Sequence, residues 1–412
     1  MKIAHSDGER AAATGLRAIP KSIWALGFVS LFMDTSSELI HSLLPVFLVS
    51  VLGASALSVG FIEGVAEATA AITKVFSGTL SDYLGKRKML TVIGYGLAAV
   101  TKPLFPLAGS AALIFTARLI DRIGKGIRGA PRDALIGDIA PSHLRGACYG
   151  LRQSLDTVGA FAGPLLAIAF MVLLANDIQA VFWIAVIPAF ISVAILIFAV
   201  KEPETTRSEG ETRSPIRVQD LRRMGAAYWW LVIVGAVLAM ARFSEAFLVL
   251  RAENIGLSIA LVPMVFVVLN AVYAASAYPA GTLSDRMDRR FILMIGFVVL
   301  IVADVVLALA TGIWLVMAGV VLWGLHMGLT QGLLAAMVAD ATPPKIRGTA
   351  FGIFNLATGL ALLGGNLIAG LLWDHYGPFA TFFVGAGITA VALAGLVALQ
   401  GSGLPVRNKD EG

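Results

Sequence analysis

Charge is scarce in this chain. Only 14% of its 412 residues are Asp, Glu, Lys or Arg, against about 25% in a soluble domain. Apolar residues make up 58%, above the usual figure of about 45–50%, and the mean hydropathy is +0.84. The shortage of charge excludes a soluble enzyme. The apolar excess excludes disorder, because so much surface must be buried somewhere. A single cysteine, Cys148, leaves no internal disulfide and no Cys-based metal site; its expected place is that of a small packed residue. No HExxH, Walker loop or nucleophile elbow occurs, and no polar stretch exceeds about 30 residues. A membrane-embedded enzyme or a sensor with a soluble effector domain is therefore the remote reading.

What is present is a series of long apolar runs. Lipid accepts only helices or closed barrels, since backbone groups in hydrocarbon must pair internally. Runs of this length are not the short alternating strands of a barrel. A helix needs about 20 residues to cross, and charged clusters cut the chain into twelve such pieces. The expected fold is an all-α membrane protein of 12 transmembrane helices in two six-helix bundles. With both termini on one side, that side carries 21 of the 31 Lys and Arg; nine lie within spans, and Arg251 alone falls on the other side. The positive-inside rule makes the basic side cytoplasmic. The N-terminus shows no cleavable signal pattern.

The expected organisation is a cytoplasmic segment 1–21, a bundle over 22–200, a polar linker 201–227, a second bundle over 228–400 and a cytoplasmic tail 401–412. Internal repetition supports the division. Gly78-Thr-Leu-Ser-Asp82 recurs as Gly281-Thr-Leu-Ser-Asp285, an offset of 203, each followed by basic residues. Asp138, Arg145 and Gly150 recur as Asp340, Arg347 and Gly352 at 202, and Met33 and Glu38 as Met240 and Glu245 at 207. A parallel repeat of this kind places a substrate site near the midplane, between halves that rock about it.

These features resemble the major facilitator superfamily of transporters. Its loop motif G-x-L-x-D-R-x-G-R/K-R/K is met by Gly78, Leu80, Asp82, Gly85, Lys86 and Arg87, with Tyr83 in the Arg place. The second copy keeps Gly281, Asp285 and Arg286, with Asp288 in the glycine place. The resemblance implies a cytoplasmic gate there. The span-4 motif R-x-x-Q-G is met by Arg122 and Gly126, with Lys125 in the glutamine place, which implies a proton-coupling role for Arg122. The antiporter motif of span 5 is met by Gly150, Gly159, Gly163 and Pro164, and implies export in exchange for protons. Gly124, Gly126 and Gly129 satisfy G-x-G-x-x-G, but no strand precedes them, so no dinucleotide site is expected.

Charges inside spans are costly and are read as functional. Asp34, Glu38 and His41 share one face of span 1, and Glu63 and Glu67 share one of span 2. Span 4 carries a basic stripe of Arg118, Arg122, Lys125 and Arg132, and span 5 carries Arg152 and Asp156. The second half has fewer: Arg242, Glu245, Asp304 and His326. The stripe either binds an anion or neutralises the acids, and near-equal numbers favour pairing. Glu38, Asp34, Glu63, Glu67 and Arg122 are the proton-coupling candidates, led by Glu38. Arg118, Lys125, His41, Asp156, Arg152, Arg242, Glu245 and His326 are the cavity candidates. Asp34, Glu38 and His41 are a weak metal signal, and no metal or other cofactor is assigned; the energy source is the proton gradient. The function expected is a proton-coupled transporter of the inner membrane, acting by alternating access and exporting a small molecule by proton antiport. The alternative is a proton symporter importing an anionic metabolite or metal chelate. The expected partners are a small-molecule substrate and the bilayer, with no nucleic acid, for a monomer.

Overall fold

The computed structural model describes residues 18–84, 86–202, 224–284, 287–342 and 346–401; the side chains of 78, 79, 82–84, 142, 347, 348 and 399–401 lie outside that description. Most of the linker, the N-terminal segment and the tail also lie outside it. Among the described residues there is no strand, and twelve helical spans follow one another. They are α1 (Lys21–His41), α2 (Ala56–Leu84), α3 (Arg87–Thr101), α4 (Ala111–Ile139), α5 (Arg145–Leu173) and α6 (Ile178–Ala199). The second half holds α7 (Ala226–Ala241, then Ala246–Asn254), α8 (Met264–Ser284), α9 (Arg289–Leu309), α10 (Ile313–Asp340), α11 (Arg347–Tyr376) and α12 (Pro378–Gly401). Ten of the twelve are long and apolar enough to cross a membrane. The others are α3, only 15 residues long, and α4, interrupted by its charges.

Polar side chains start several helices. Ser110 accepts from the Leu113 amide before α4, Asp177 from Ala180 before α6, and Asp288 from Arg290 before α9. Each satisfies a backbone donor that the first turn leaves free. α1 continues past His41 through Leu44–Val46 into a π-helical turn, Phe47–Val51.

Within the first half α1 packs on α5 and α6, and α4 on α2 and α3; within the second, α7 packs on α11 and α12, and α10 on α8 and α9. The halves meet along α2 against α11 and along α5 against α8. Small residues let these backbones approach. A Cβ built at Gly163 of α5 would lie 2.8 Å from Glu38 Cβ and 2.8 Å from the Thr35 carbonyl of α1. Its repeat counterpart Gly365 of α11 lies against Met240 of α7. On the seam between halves, a Cβ at Gly370 of α11 would lie 2.6 Å from Leu57 Cα of α2.

One end of the bundle carries the basic residues that precede α3 and α9. The opposite, far end is closed. There the second piece of α7 meets the Leu44–Val46 turn and α2. Ser50 donates to Glu253 at 2.8 Å, and the amides of Ala56 and Leu57 donate to the Asp374 carboxylate at 2.9 Å each. Phe47, Leu48, Phe247 and Leu248 are fully buried between them.

Two features depart from the expected pattern. The expected span 228–250 is broken at Arg242–Glu245, because Asn366 of α11 accepts from the Ser244 amide at 2.7 Å and holds the chain out of helix. Arg251, expected in a far-side loop, is buried in the second piece of α7. It donates to the carbonyls of Leu307 and Ala310 at 3.0 and 2.7 Å, closing the end of α9.

Gly370→Ala will push α2 and α11 apart at the far end, and overpacking of this type costs about 1–3 kcal/mol. Cysteines placed at the far end will then react faster with a membrane-impermeant maleimide. Gly163→Ala, which acts within one half, will instead lower the melting temperature without that gain in reactivity.

Candidate functional site

The charged side chains of α1, α2, α4 and α5 converge on a central cavity of about 440 Å³, and a smaller chamber of about 270 Å³ adjoins it. The larger lies on the basic-end side of the far-end closure. Asp34 and Glu38 stand at its middle. Lys74, Lys125, Arg128, Arg132, Arg152 and Arg242 supply six basic side chains to its wall, against four acidic ones, Asp34, Glu38, Glu67 and Asp156. Asn355, Thr358 and Leu362 of α11 complete it. Lys74 and Lys125 are exposed although they sit inside helices, because the cavity admits water to them. Glu38, Glu67, Lys125 and Arg242 border both chambers, and His41, Glu63, Glu245 and Phe266 belong to the smaller one.

Most of the buried charge is paired. Arg118, 3% exposed, grips Glu63 through Nε at 3.2 Å and through Nη2 at 2.7 Å. Arg122 reaches Glu67 at 3.0 Å. Lys102 donates to Asp121 and to Ser37, each at 3.0 Å. Arg152 donates to Asp156 at 2.6 Å and to Ser30 at 3.2 Å. His41 lies between two carboxylates, 3.5 Å from Glu38 and 3.4 Å from Glu63. Glu38, His41, Glu63 and Arg118 thus form one line from the cavity wall into the bundle. Arg128 stacks on the Tyr95 ring at 4.5 Å and leaves one buried guanidinium nitrogen without a hydrogen bond. Asp34 stands beside Asp156.

The sequence candidates separate accordingly. Asp34, Glu38, Glu67, Lys125, Arg152, Asp156 and Arg242 line the main cavity, and His41, Glu63 and Glu245 the inner chamber. Arg122 also lines the inner chamber, where it is paired with Glu67. Two cavity candidates are corrected. Arg118 stands behind Glu63, turned away from the opening by its two-pronged ion pair. His326 is fully buried in the α9–α10 seam, where its Nδ1–H donates to the Gly296 carbonyl at 2.8 Å. Of the span-5 motif, Gly159 and Gly163 contact α1 and Pro164 is buried, whereas Gly150 is exposed with open space at its Cβ position. Among the described residues no group of three or more His, Cys, Asp or Glu converges as a metal site.

In the loop motifs Gly85, Asp285 and Arg286 lie outside the described residues, as do the surroundings of Gly78 and the side chain of Asp82. Lys86 is exposed, and Gly281 is exposed with open space around it. Arg87 bonds Asp138 at 2.6 Å and the Ala134 carbonyl at 2.9 Å. Its counterpart Arg289 bonds Asp340 at 2.5 Å. Sequence reasoning registered the Asp138–Asp340 repeat but not these partners, although Arg87 and Arg289 share the offset of 202.

A two-lobed helical membrane protein with a charged, water-accessible cavity between its lobes has the architecture of a secondary carrier. The sequence pattern of the Major Facilitator Superfamily matches residues 26–251 and 245–411, and the chain belongs to that family. An uncharacterised MFS-type transporter of Methanocaldococcus jannaschii is 32% identical over 384 residues, 91% of this chain and 94% of that one. The inner membrane transport protein YajR of Escherichia coli is 24% identical over 393 residues, 90% of this chain and 82% of that protein. Among solved structures, the nucleoside transporter NupG superposes with a TM-score of 0.78 at 13% identity, covering 92% of this chain and 99% of that one. A bacterial homologue of the lysosomal transporter Spinster, in an inward-facing and occupied conformation, does so at 0.77 and 16%, covering 94% and 98%. The chain is a multi-pass membrane transporter and not an enzyme.

Removing one partner of a buried ion pair strands the other, at about 3–5 kcal/mol. Arg118→Ala will therefore lower the melting temperature of the detergent-solubilised protein steeply. The double variant Arg118→Leu with Glu63→Leu will recover most of the loss.

Proposed function

We propose that the chain is a proton-coupled carrier of a small anionic solute in the inner membrane. The basic end faces the cytoplasm, and substrate binds in the central cavity. The observation that carries this reading is the wall of six basic and four acidic side chains, in which Lys125 and Arg242 have no ion pair with a carboxylate among the described residues. An anion seated on Lys125, Arg128 and Arg242 draws off their positive potential. The neighbouring carboxylates Glu38 and Asp34 then lose the charges that favour their ionised forms, and each takes up a proton more readily. Anion and proton are loaded together, and the charge of each offsets that of the other when the halves rock.

Glu38 is the proposed proton carrier. It borders both chambers, and it touches His41, which connects it to the Glu63–Arg118 pair. Protonation of Glu38 releases His41 from one of its two carboxylate partners. Because Gly163 of α5 packs against the Cβ and backbone of this same turn, a change at Glu38 is felt where α1 and α5 slide.

A second reading is export by proton antiport. The contact of Gly159 and Gly163 with α1, beside the buried Pro164, favours it, since those residues match the antiporter motif. The two readings differ in sign. Purified protein in liposomes, given a panel of organic anions and cations, will accumulate an anion down an imposed proton gradient if loading is joint. Antiport would show as accumulation on the side of higher proton concentration. Indifference of every compound to the gradient would reject proton coupling altogether. Glu38→Gln will remove gradient-driven accumulation, down to the level seen with an uncoupler, while counterflow of labelled substrate continues. Wild-type accumulation in that variant would discard Glu38.

A further inference from the structure

Asp304 of α9 is 0% exposed, and neither of its carboxylate oxygens has a hydrogen-bond partner among the described residues. An ionised carboxylate without counter-charge or water is among the costliest groups that a bundle in lipid can hold. The surroundings are apolar. A Cβ built at Gly385 of α12 would lie 3.0 Å from Asp304 Oδ2 and 3.0 Å from the Phe243 ring. Phe243 stands in the break of α7 and contacts Trp323 of α10 and Phe382 of α12.

The pseudo-symmetry shows that this niche is the altered copy of an ion pair. Gly94 of α3 packs against Gly124 and Arg128 of α4; Gly296 of α9 packs against His326 and Thr330 of α10. Each of these three positions steps by 202 between the halves. The same step carries Lys102 to Asp304 and Asp121 to Trp323. In the first half the two positions hold a bonded Lys–Asp pair at 3.0 Å. In the second half they hold a carboxyl and an indole, and the Trp323 Nε1–H is likewise buried without a partner.

We propose that Asp304 is a second proton-binding site: its carboxyl is neutral while the far end is closed, and its ionisation, with the proton passing to water, favours the open far end. The link to the far end is the α7 break. Phe243 and Asp304 flank the same point of α12, each 3.0 Å from a Cβ built at Gly385, and the residues after Phe243 lead through Glu245 into the second piece of α7, which forms the closure. The titratable groups on the surrounding elements are accounted for. Arg251 is spent on the carbonyls of Leu307 and Ala310, and His326 is turned to Gly296. Arg242 and Glu245 line the cavities. The described parts of α8 and α12 carry no charged residue. A metal cation is a poor occupant, because the niche presents aromatic rings and lacks the several oxygen ligands that a hard cation takes.

The link of this site to transport rests on the proton-coupled reading, but its protonation does not, so two readouts are used. Infrared spectroscopy of the reconstituted protein at neutral pH will show a protonated carboxylic C=O band that disappears in Asp304→Asn. Asp304→Leu, offered in case the amide variant folds poorly, will remove the same band and fold well, since the niche is apolar. Spin labels on Val51→Cys and Asn254→Cys, in a Cys148→Ala background, report the far end. Their separation in the wild type will lengthen as pH rises, and both Asp304 variants will stay at the short distance. An unchanged carboxylic band, or variants that follow the wild-type pH profile, would overturn the proposal. If transport ignores a pH gradient while the band is lost in Asp304→Asn, proton coupling of transport fails and the proton site stands.

Discussion

An ionised side chain inside a lipid-embedded bundle must find a counter-charge or water, and the rest of this molecule is arranged around that constraint. In the first half both solutions are used. Glu63, Glu67, Asp121 and Asp156 each lie against a named base. Lys74 and Lys125 are left to the water of the cavity. A buried pair of this kind adds little stability by itself, because desolvating two ions offsets most of their attraction. Its effect is to fix geometry: α1, α2 and α4 cannot change their mutual register without parting Glu63 or Glu67 from its partners, whereas the Arg152–Asp156 pair lies within α5 and leaves that helix free to slide.

The two halves share a backbone plan but divide the work. The close contact of α1 with α5 at Gly163 returns as α7 with α11 at Gly365, and the Arg87–Asp138 bond returns as Arg289–Asp340. At one equivalent position the copies part. Pro164 follows the glycine in the first half, and Asn366 follows it in the second. A proline has no amide to offer, and α1 runs unbroken beside it as far as His41. The asparagine side chain accepts from the Ser244 amide, so α7 gives up its helix there and still satisfies its backbone. A half whose helices are charged and tightly paired therefore faces a half that carries few charges inside its helices and holds the broken one.

Much of this could be read before any coordinates. Run length and the charged clusters between runs set the number of the spans, and repeats at constant offset set the two halves. The clustering of charge in the first half also pointed to the cavity. What could not be read is which neighbour each charged face meets. A spacing of three or four residues places Arg118 and Lys125 on the same stripe, yet one is clamped behind Glu63 and the other opens to water. The stripe wraps the helix by about 100° per residue, and only the packed partners decide which edge is wet. The break in α7 was hidden for a similar reason. The residues from Ala239 to Ala246 include no glycine or proline, and the break is imposed from α11 by one side-chain oxygen. His326 resembled a cavity residue only because α10 is apolar on nearly every side.

The division between halves bears on how a carrier of this kind couples a solute to a proton. A site built only of matched ion pairs is rigid and electrically closed, and it has no reason to prefer a second ligand once the first is bound. Here the wall has more basic than acidic groups, so the empty cavity holds an excess of positive charge that costs energy whenever the halves close over it. On the proposed mechanism an anion lowers that cost, and in doing so it weakens the field that favours the ionised forms of Glu38 and Asp34. Proton and anion affinity would then be linked through the shared field of Lys125, Arg128 and Arg242, as proposed above, and linkage is reciprocal by thermodynamic necessity. No wire between distant sites is required, because the groups involved border one cavity. The apolar half has little charge of its own to rearrange, so it can move against the charged half without breaking ion pairs across the seam.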